Sequence, residues 1–101
     1  MPYLIYVIDH PGMEQKREAV REAHRDFLKS YGVKVLASGA LLDDEGKTII
    51  GGVSLFDTKN RAEAEQFAYD DPYATAGIRA QIKIHRWRKR WWNGLLNDLE
   101  D

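Results

Sequence analysis

Residues 3–9 read Tyr3-Leu4-Ile5-Tyr6-Val7-Ile8-Asp9, and this short stretch decides the fold. It is β-branched and aromatic, too short for an independent helix, and it stops at the turn signal His10-Pro11-Gly12. A strand sends alternate residues to opposite faces, so Tyr3, Ile5 and Val7 share one face and Leu4, Tyr6 and Ile8 the other. Both faces are apolar. A sheet with one wet face would alternate with polar residues, so this strand requires a cover on each side.

Outward from it, the spacing of Val20, Ala23, His24, Phe27, Leu28 and Tyr31 predicts a helix over 13–31, with charged residues on its remaining face. Glu18–Arg21 and Glu22–Arg25 stand three apart and are expected to pair on its surface. Gly32 suits its C-terminus, where a positive φ is favoured. Strands are predicted over 33–42 and 48–56, joined by the polar hairpin connection Asp43-Asp44-Glu45-Gly46-Lys47. Asn60 is placed to cap a second helix carrying Ala62, Ala64, Phe67 and Ala68. Asp70-Asp71-Pro72 interrupts that helix, and Asp71 before Pro72 predicts a short third one. Residues 79–88 predict a last strand, with Ile82 and Ile84 opposite Lys83, His85 and Trp87. From Trp91 onward, Trp92, Leu95, Leu96 and Leu99 predict a short terminal helix.

The order is β-α-β-β-α-β, the split βαβ pattern: an α+β fold of the ferredoxin-like kind, whose antiparallel sheet carries both helices on one face. One domain over residues 1–101 is expected, with its core at about 3–88 and a C-terminal tail at 89–101. The second sheet face would be bare and apolar. Such a patch marks a partner surface, and a two-fold homodimer through that face is the simplest one.

Composition narrows the function. With 44% hydrophobic and 31% charged residues the chain is a globular protein, and a net charge of −1 gives it no global field for nucleic acid or anionic membrane. There is no cysteine, which removes disulfides and thiolate nucleophiles. No apolar segment is long enough to span a membrane and no leader-like N-terminus is seen, so a cytoplasmic protein is expected.

Among residues that carry chemistry, His24 stands out because it lies on the apolar stripe of the first helix. It is either a general acid or base tuned by a carboxylate, or a core histidine satisfied by one carbonyl. Asp71 is fully accounted for as a helix cap before Pro72, yet a cap can also orient a histidine. In Asp9-His10, neighbouring strand residues face opposite sides and do not converge on one substrate; Asp9 is expected at the mouth of a cleft and His10 in solvent. His10, His24 and His85 lack close ligand spacing and lie on different elements, so no metal site is expected. The run His85-Arg86-Trp87-Arg88-Lys89-Arg90-Trp91-Trp92 mixes cations and rings, as a nucleic-acid grip does, but an edge strand followed by an amphipathic tail explains it better. Gly51-Gly52 precedes a strand and is no phosphate loop. Ser30, Ser38 and Ser54 have no nucleophile-elbow setting.

These residues together resemble the YciI-like (YCII-related) family of small dimeric α+β-barrel proteins, from about Tyr3 to Trp87. The likeness runs through Asp9 with Pro11-Gly12, Arg17, His24 with Phe27-Leu28, Gly32, Ser38-Gly39-Ala40-Leu41, Gly46, Gly51, Asp71-Pro72-Tyr73 and Ala76-Gly77. The resemblance implies a dimer paired through its sheets, with a pocket between sheet and helices. It also implies that His24 and Asp71 are the active pair, since the family carries them on its first helix and in its Asp-Pro motif. One branch is similar to enzymes that remove chloride from chlorinated hydroxyhydroquinones, and the fold is shared with muconolactone isomerases. Two departures stand out: Gly39-Ala40-Leu41 replaces a frequent Gly-Pro-Leu, which reshapes the pocket wall, and the tail is unusually rich in tryptophan and arginine.

The expectation is therefore a small-molecule enzyme of the elimination or isomerisation class, without metal or cofactor. His24 moves a proton, Asp71 fixes its tautomer, and Tyr6, Asp9, Ser38, Gly39 and Tyr73 shape the pocket. The alternative is a non-catalytic dimeric module that binds a small molecule or a partner.

Overall fold

A computed structural model describes residues 1–97. The elements are β1 (Tyr3–Asp9), α1 (Glu14–Tyr31), a 3-10 turn (Gly32–Lys34), β2 (Val35–Leu42), β3 (Ile49–Phe56), α2 (Arg61–Asp70), α3 (Pro72–Thr75) and β4 (Arg79–Arg86). The four long strands form one antiparallel sheet in the order β2-β3-β1-β4. Two split βαβ units interlock in it: β1 and β2 bracket β3, while β3 and β4 bracket β1. This is the ferredoxin-like α+β arrangement expected from the pattern.

The caps fall where the side chains dictate. Asn60 accepts a hydrogen bond from the Ala62 amide at 2.8 Å and opens α2. Asp71 accepts one from the Tyr73 amide at 2.9 Å and opens α3, with Pro72 at its first position. Gly32 ends α1 with φ +59°, and its amide reaches the Lys29 carbonyl.

Tyr3, Ile5 and Val7 of β1 point to the helices and form the core with Phe56, Ala64, Phe67, Ala68 and Ile84. Phe56 and Phe67 stack at 4.3 Å, and Tyr31 of α1 meets both edge-on. The β2–β3 half of the sheet is different. Register places Ser38 opposite Ser54 and Ala40 opposite Gly52, so small residues pave the floor under α1. α1 buries no residue completely. A hollow is left there, whereas the β1–β4 half carries Ile5, Val7, Ile82 and Ile84.

Among the described residues of the tail, 91–97, the predicted helix does not form. Trp91–Trp92 and Leu95–Leu96 pair as a two-stranded antiparallel hairpin, β5 and β6. Between them Asn93 and Gly94 both adopt positive φ, +55° and +74°. That is the two-residue turn which Asn-Gly favours, and it overrides the helical spacing of Trp92, Leu95 and Leu96. Leu99 lies outside the described residues. The last long strand also stops at Arg86, two residues earlier than predicted. Among the described residues no helix is long and apolar enough to cross a membrane.

Gly51 marks the tightest approach within the sheet, because a methyl group there would collide with the Val7 carbonyl. Gly51→Ala is expected to destabilise the fold by about 1–3 kcal/mol, the usual cost of overpacking. Urea unfolding of the variant measures this, and an unchanged midpoint would contradict the contact.

Candidate active site

The interruption between α2 and α3 builds the site. Pro72 drives the preceding residue out of the helical region, and Asp71 sits at φ −55°, ψ 131°. That kink turns the carboxylate toward α1. Its Oδ1 accepts from the Tyr73 amide and lies 2.8 Å from Nδ1 of His24. Its Oδ2 lies 3.3 Å from a guanidinium nitrogen of Arg79. Both oxygens are thus engaged, and the side chain is only 4% exposed.

Burial pushes the Asp71 carboxyl upward, but the His24 hydrogen bond, the Arg79 charge and the Tyr73 amide together outweigh it. They hold the group below the ordinary carboxylate value of 3.8. Burial lowers the Arg79 guanidinium from its usual value, and the charges of Asp71 and Asp9 only partly restore it. An ionised carboxylate cannot donate. The proton between Asp71 and His24 therefore belongs to Nδ1, which leaves Nε2 of the neutral ring with its lone pair free. Nε2 has no hydrogen-bond partner among the described residues and is not one of the polar atoms sealed without one.

The imidazole is also clamped flat. Tyr73 stacks on it at 4.0 Å with the planes 16° apart. The guanidinium of Arg17 lies 4.2 Å from the same tyrosine ring. Arg17 and His24 are seven residues apart on α1, about 10.5 Å along the helix axis, which leaves room for the ring to slot between them. Arg17 is itself held by Asp9 at 2.7 Å.

A cavity of about 380 Å³ opens beside this array, a size that suits a small organic molecule. His24, Asp71 and Tyr73 line it with Arg17, Arg21, Arg25 and Arg79, facing Ser38, Gly39, Gly52 and Ser54 across the hollow. Ser38, Gly39 and Tyr73 line the cavity. Tyr6 and Asp9 are not among its lining residues. Strand alternation turns Tyr6 to the open sheet face, where it is 37% exposed. Asp9 is buried against Arg17 rather than at a mouth, and bears on the site through that arginine and through its charge on Arg79. The arginines themselves went unassigned in the sequence reading. Among the described residues no group of three or more acids and histidines is placed to hold a metal.

The profile of the YCII-related domain matches residues 1–88. The chain belongs to this family. A relative of the YCII-related chain, an uncharacterized protein of Haemophilus influenzae, is 31% identical over 96 residues, covering 88% of this chain and 98% of that protein. Among solved structures, the chain is similar to a 5-chloro-2-hydroxyhydroquinone dehydrochlorinase of Burkholderia phenoliruptrix AC1100 in complex with 2,5-dihydroxybenzoquinone. The TM-score is 0.77 at 27% identity, over 86% of this YCII-related chain and 93% of that one.

A carboxyl that titrates lower in the folded chain than in the unfolded one stabilises the fold above the unfolded value, and that contribution is lost as pH falls through the folded value. Stability is therefore expected to drop on acidification below about pH 4. Asp71→Asn, which cannot ionise, should flatten that fall, and urea midpoints measured across the acid range check it. An identical slope in the variant would contradict the ion-paired carboxylate.

Proposed function

We propose that this protein is a small-molecule enzyme in which His24 takes a proton from an organic substrate in an elimination or isomerisation. Nε2 removes the proton, and the electron pair of the broken C–H bond forms a new double bond as a leaving group departs; in an isomerisation the unsaturation shifts and the imidazolium returns the proton at another carbon. Asp71 holds the Nδ1 proton and stabilises the imidazolium that forms, and Tyr73 keeps the ring in plane. The observation that carries this reading is the 2.8 Å contact between His24 Nδ1 and a buried, ionised Asp71 at the wall of an open cavity. The similarity to a dehydrochlorinase supports it, since loss of hydrogen chloride is an elimination.

A turnover screen of lyase and isomerase substrates, begun with chlorinated hydroxyhydroquinones, tests the reading. On a genuine substrate His24→Gln is expected to reduce kcat by about 10²–10⁴, the range for general acid or base catalysis. Unchanged turnover would remove His24 from the chemistry. Mass spectrometry that recovers every bound ligand unaltered would favour a binding module instead.

The same proposal pairs two chains through the open sheet face. Leu4, Tyr6, Ile8 and Val53 leave that face apolar and only partly covered. Sedimentation should show a dimer, and Tyr6→Glu should shift it toward monomer; a wild-type monomer at high concentration would exclude the pairing.

A further inference from the structure

We infer that the ligand of this cavity is a small organic anion, received by Arg25 with Arg21 beside it. The inference rests on the cavity being the substrate site and adds the charge class of the substrate.

Four arginines line the cavity, and two of them are already engaged. Arg17 is held by Asp9 at 2.7 Å and Arg79 by Asp71 at 3.3 Å, and both guanidinium side chains are nearly buried. Arg21 reaches only Glu18, at 3.8 Å and in solvent, a pairing of little strength. Arg25 has no hydrogen bond or ion pair among the described residues. The expected Glu22–Arg25 pair does not form. An unpaired guanidinium thus stands on the cavity wall, one residue from His24.

Arg17, Arg21 and Arg25 repeat every four residues, so they form one ridge along α1. Arg21 and His24 are three apart, so the imidazole sits beside that ridge on the neighbouring row. An anion seated on Arg21 and Arg25 therefore lies beside the imidazole. The facing wall offers no charge, only serines, glycines, Ala40, Ile49 and Val53, and the one carboxylate that lines the cavity, Asp71, has both oxygens engaged. The local field is positive although the chain carries a net charge of −1. Such a site attracts an oxyanion, and it also stabilises the negative charge that proton abstraction leaves on a substrate. A planar guanidinium suits a carboxylate and an ionised enol equally.

Isothermal titration of the full chain compares benzoate with benzamide, and 2,5-dihydroxybenzoquinone with 2,5-dimethoxybenzoquinone. The hydroxyls of the dihydroxy compound are vinylogous carboxylic acids, ionised at neutral pH. At least one anion should bind roughly tenfold tighter than its neutral counterpart, and the pair with the larger preference distinguishes carboxylate from enolate. Added salt should weaken that preference. Arg25→Gln should lower anion affinity about tenfold while Arg25→Lys keeps most of it. Both changes lie on an exposed helix position, so circular dichroism should be unchanged. No preference in the wild type, or a preference that survives Arg21→Gln combined with Arg25→Gln, would overturn the inference. Because binding is read without turnover, His24→Gln should leave the preference intact. Loss of anion preference with His24-dependent turnover overturns only the charge class, whereas His24-independent turnover with the preference retained overturns only the catalytic reading.

Discussion

Three donors converge on one buried carboxylate, and the rest of the site depends on that convergence. Asp71 receives the Tyr73 amide, the imidazole of α1 and the guanidinium of Arg79. The first contact starts α3, the second joins α1 to the α2–α3 corner, and the third ties that corner to β4. Burial alone would raise the titration of this carboxyl, and these partners hold it below the ordinary value instead. Its charge in turn decides which imidazole nitrogen holds the proton. One carboxylate therefore both caps α3 and holds the His24 ring, in a single arrangement.

The cavity has an equally simple origin. β1 and β4 fill their half of the helix-facing surface with Ile5, Val7, Ile82 and Ile84, and the aromatic cluster of Phe56, Phe67 and Tyr31 closes one end. β2 and β3 present Ser38, Ala40, Gly52 and Ser54 instead. Side chains this small cannot reach α1. The space that the sheet does not fill is the space that His24 and the arginines border. The proposed site lies where the core is thin, and the densely packed half supplies the rigidity that holds His24 and Asp71 in place.

Most of the architecture was legible in the sequence because local signals agreed with the global order. The apolar run of β1, the helical spacing around His24, Asn60, and Asp71-Pro72 each act within a few residues, and each matches the observed element. In the tail two local signals compete, and the positive φ of Asn93 and Gly94 outweighs a helical spacing of only a few residues. Period-two alternation along β1 sends Tyr6 to the face opposite the pocket. The arginines are hidden in the sequence for a different reason. Charged residues at four-residue spacing look like an ordinary solvated helix face, and only the hollow over β2 and β3 distinguishes Arg25 from any surface arginine. No pattern along the chain encodes that hollow except the smallness of residues on two other strands. The partners of Asp9 and Asp71, at separations of 8 and 47 residues for Arg17 and His24, are likewise set by the tertiary fold.

The central claim is that Asp71 fixes His24 as the Nδ1–H tautomer, leaving Nε2 as the base. Long-range ¹H–¹⁵N correlation of the imidazole rings, at a pH where the His24 ring is neutral, reads this directly. A protonated, pyrrole-like Nδ1 and an unprotonated, pyridine-like Nε2 are expected for His24, with the distinction weakened when Asp71 is replaced by alanine. A proton resident on Nε2 would contradict the claim.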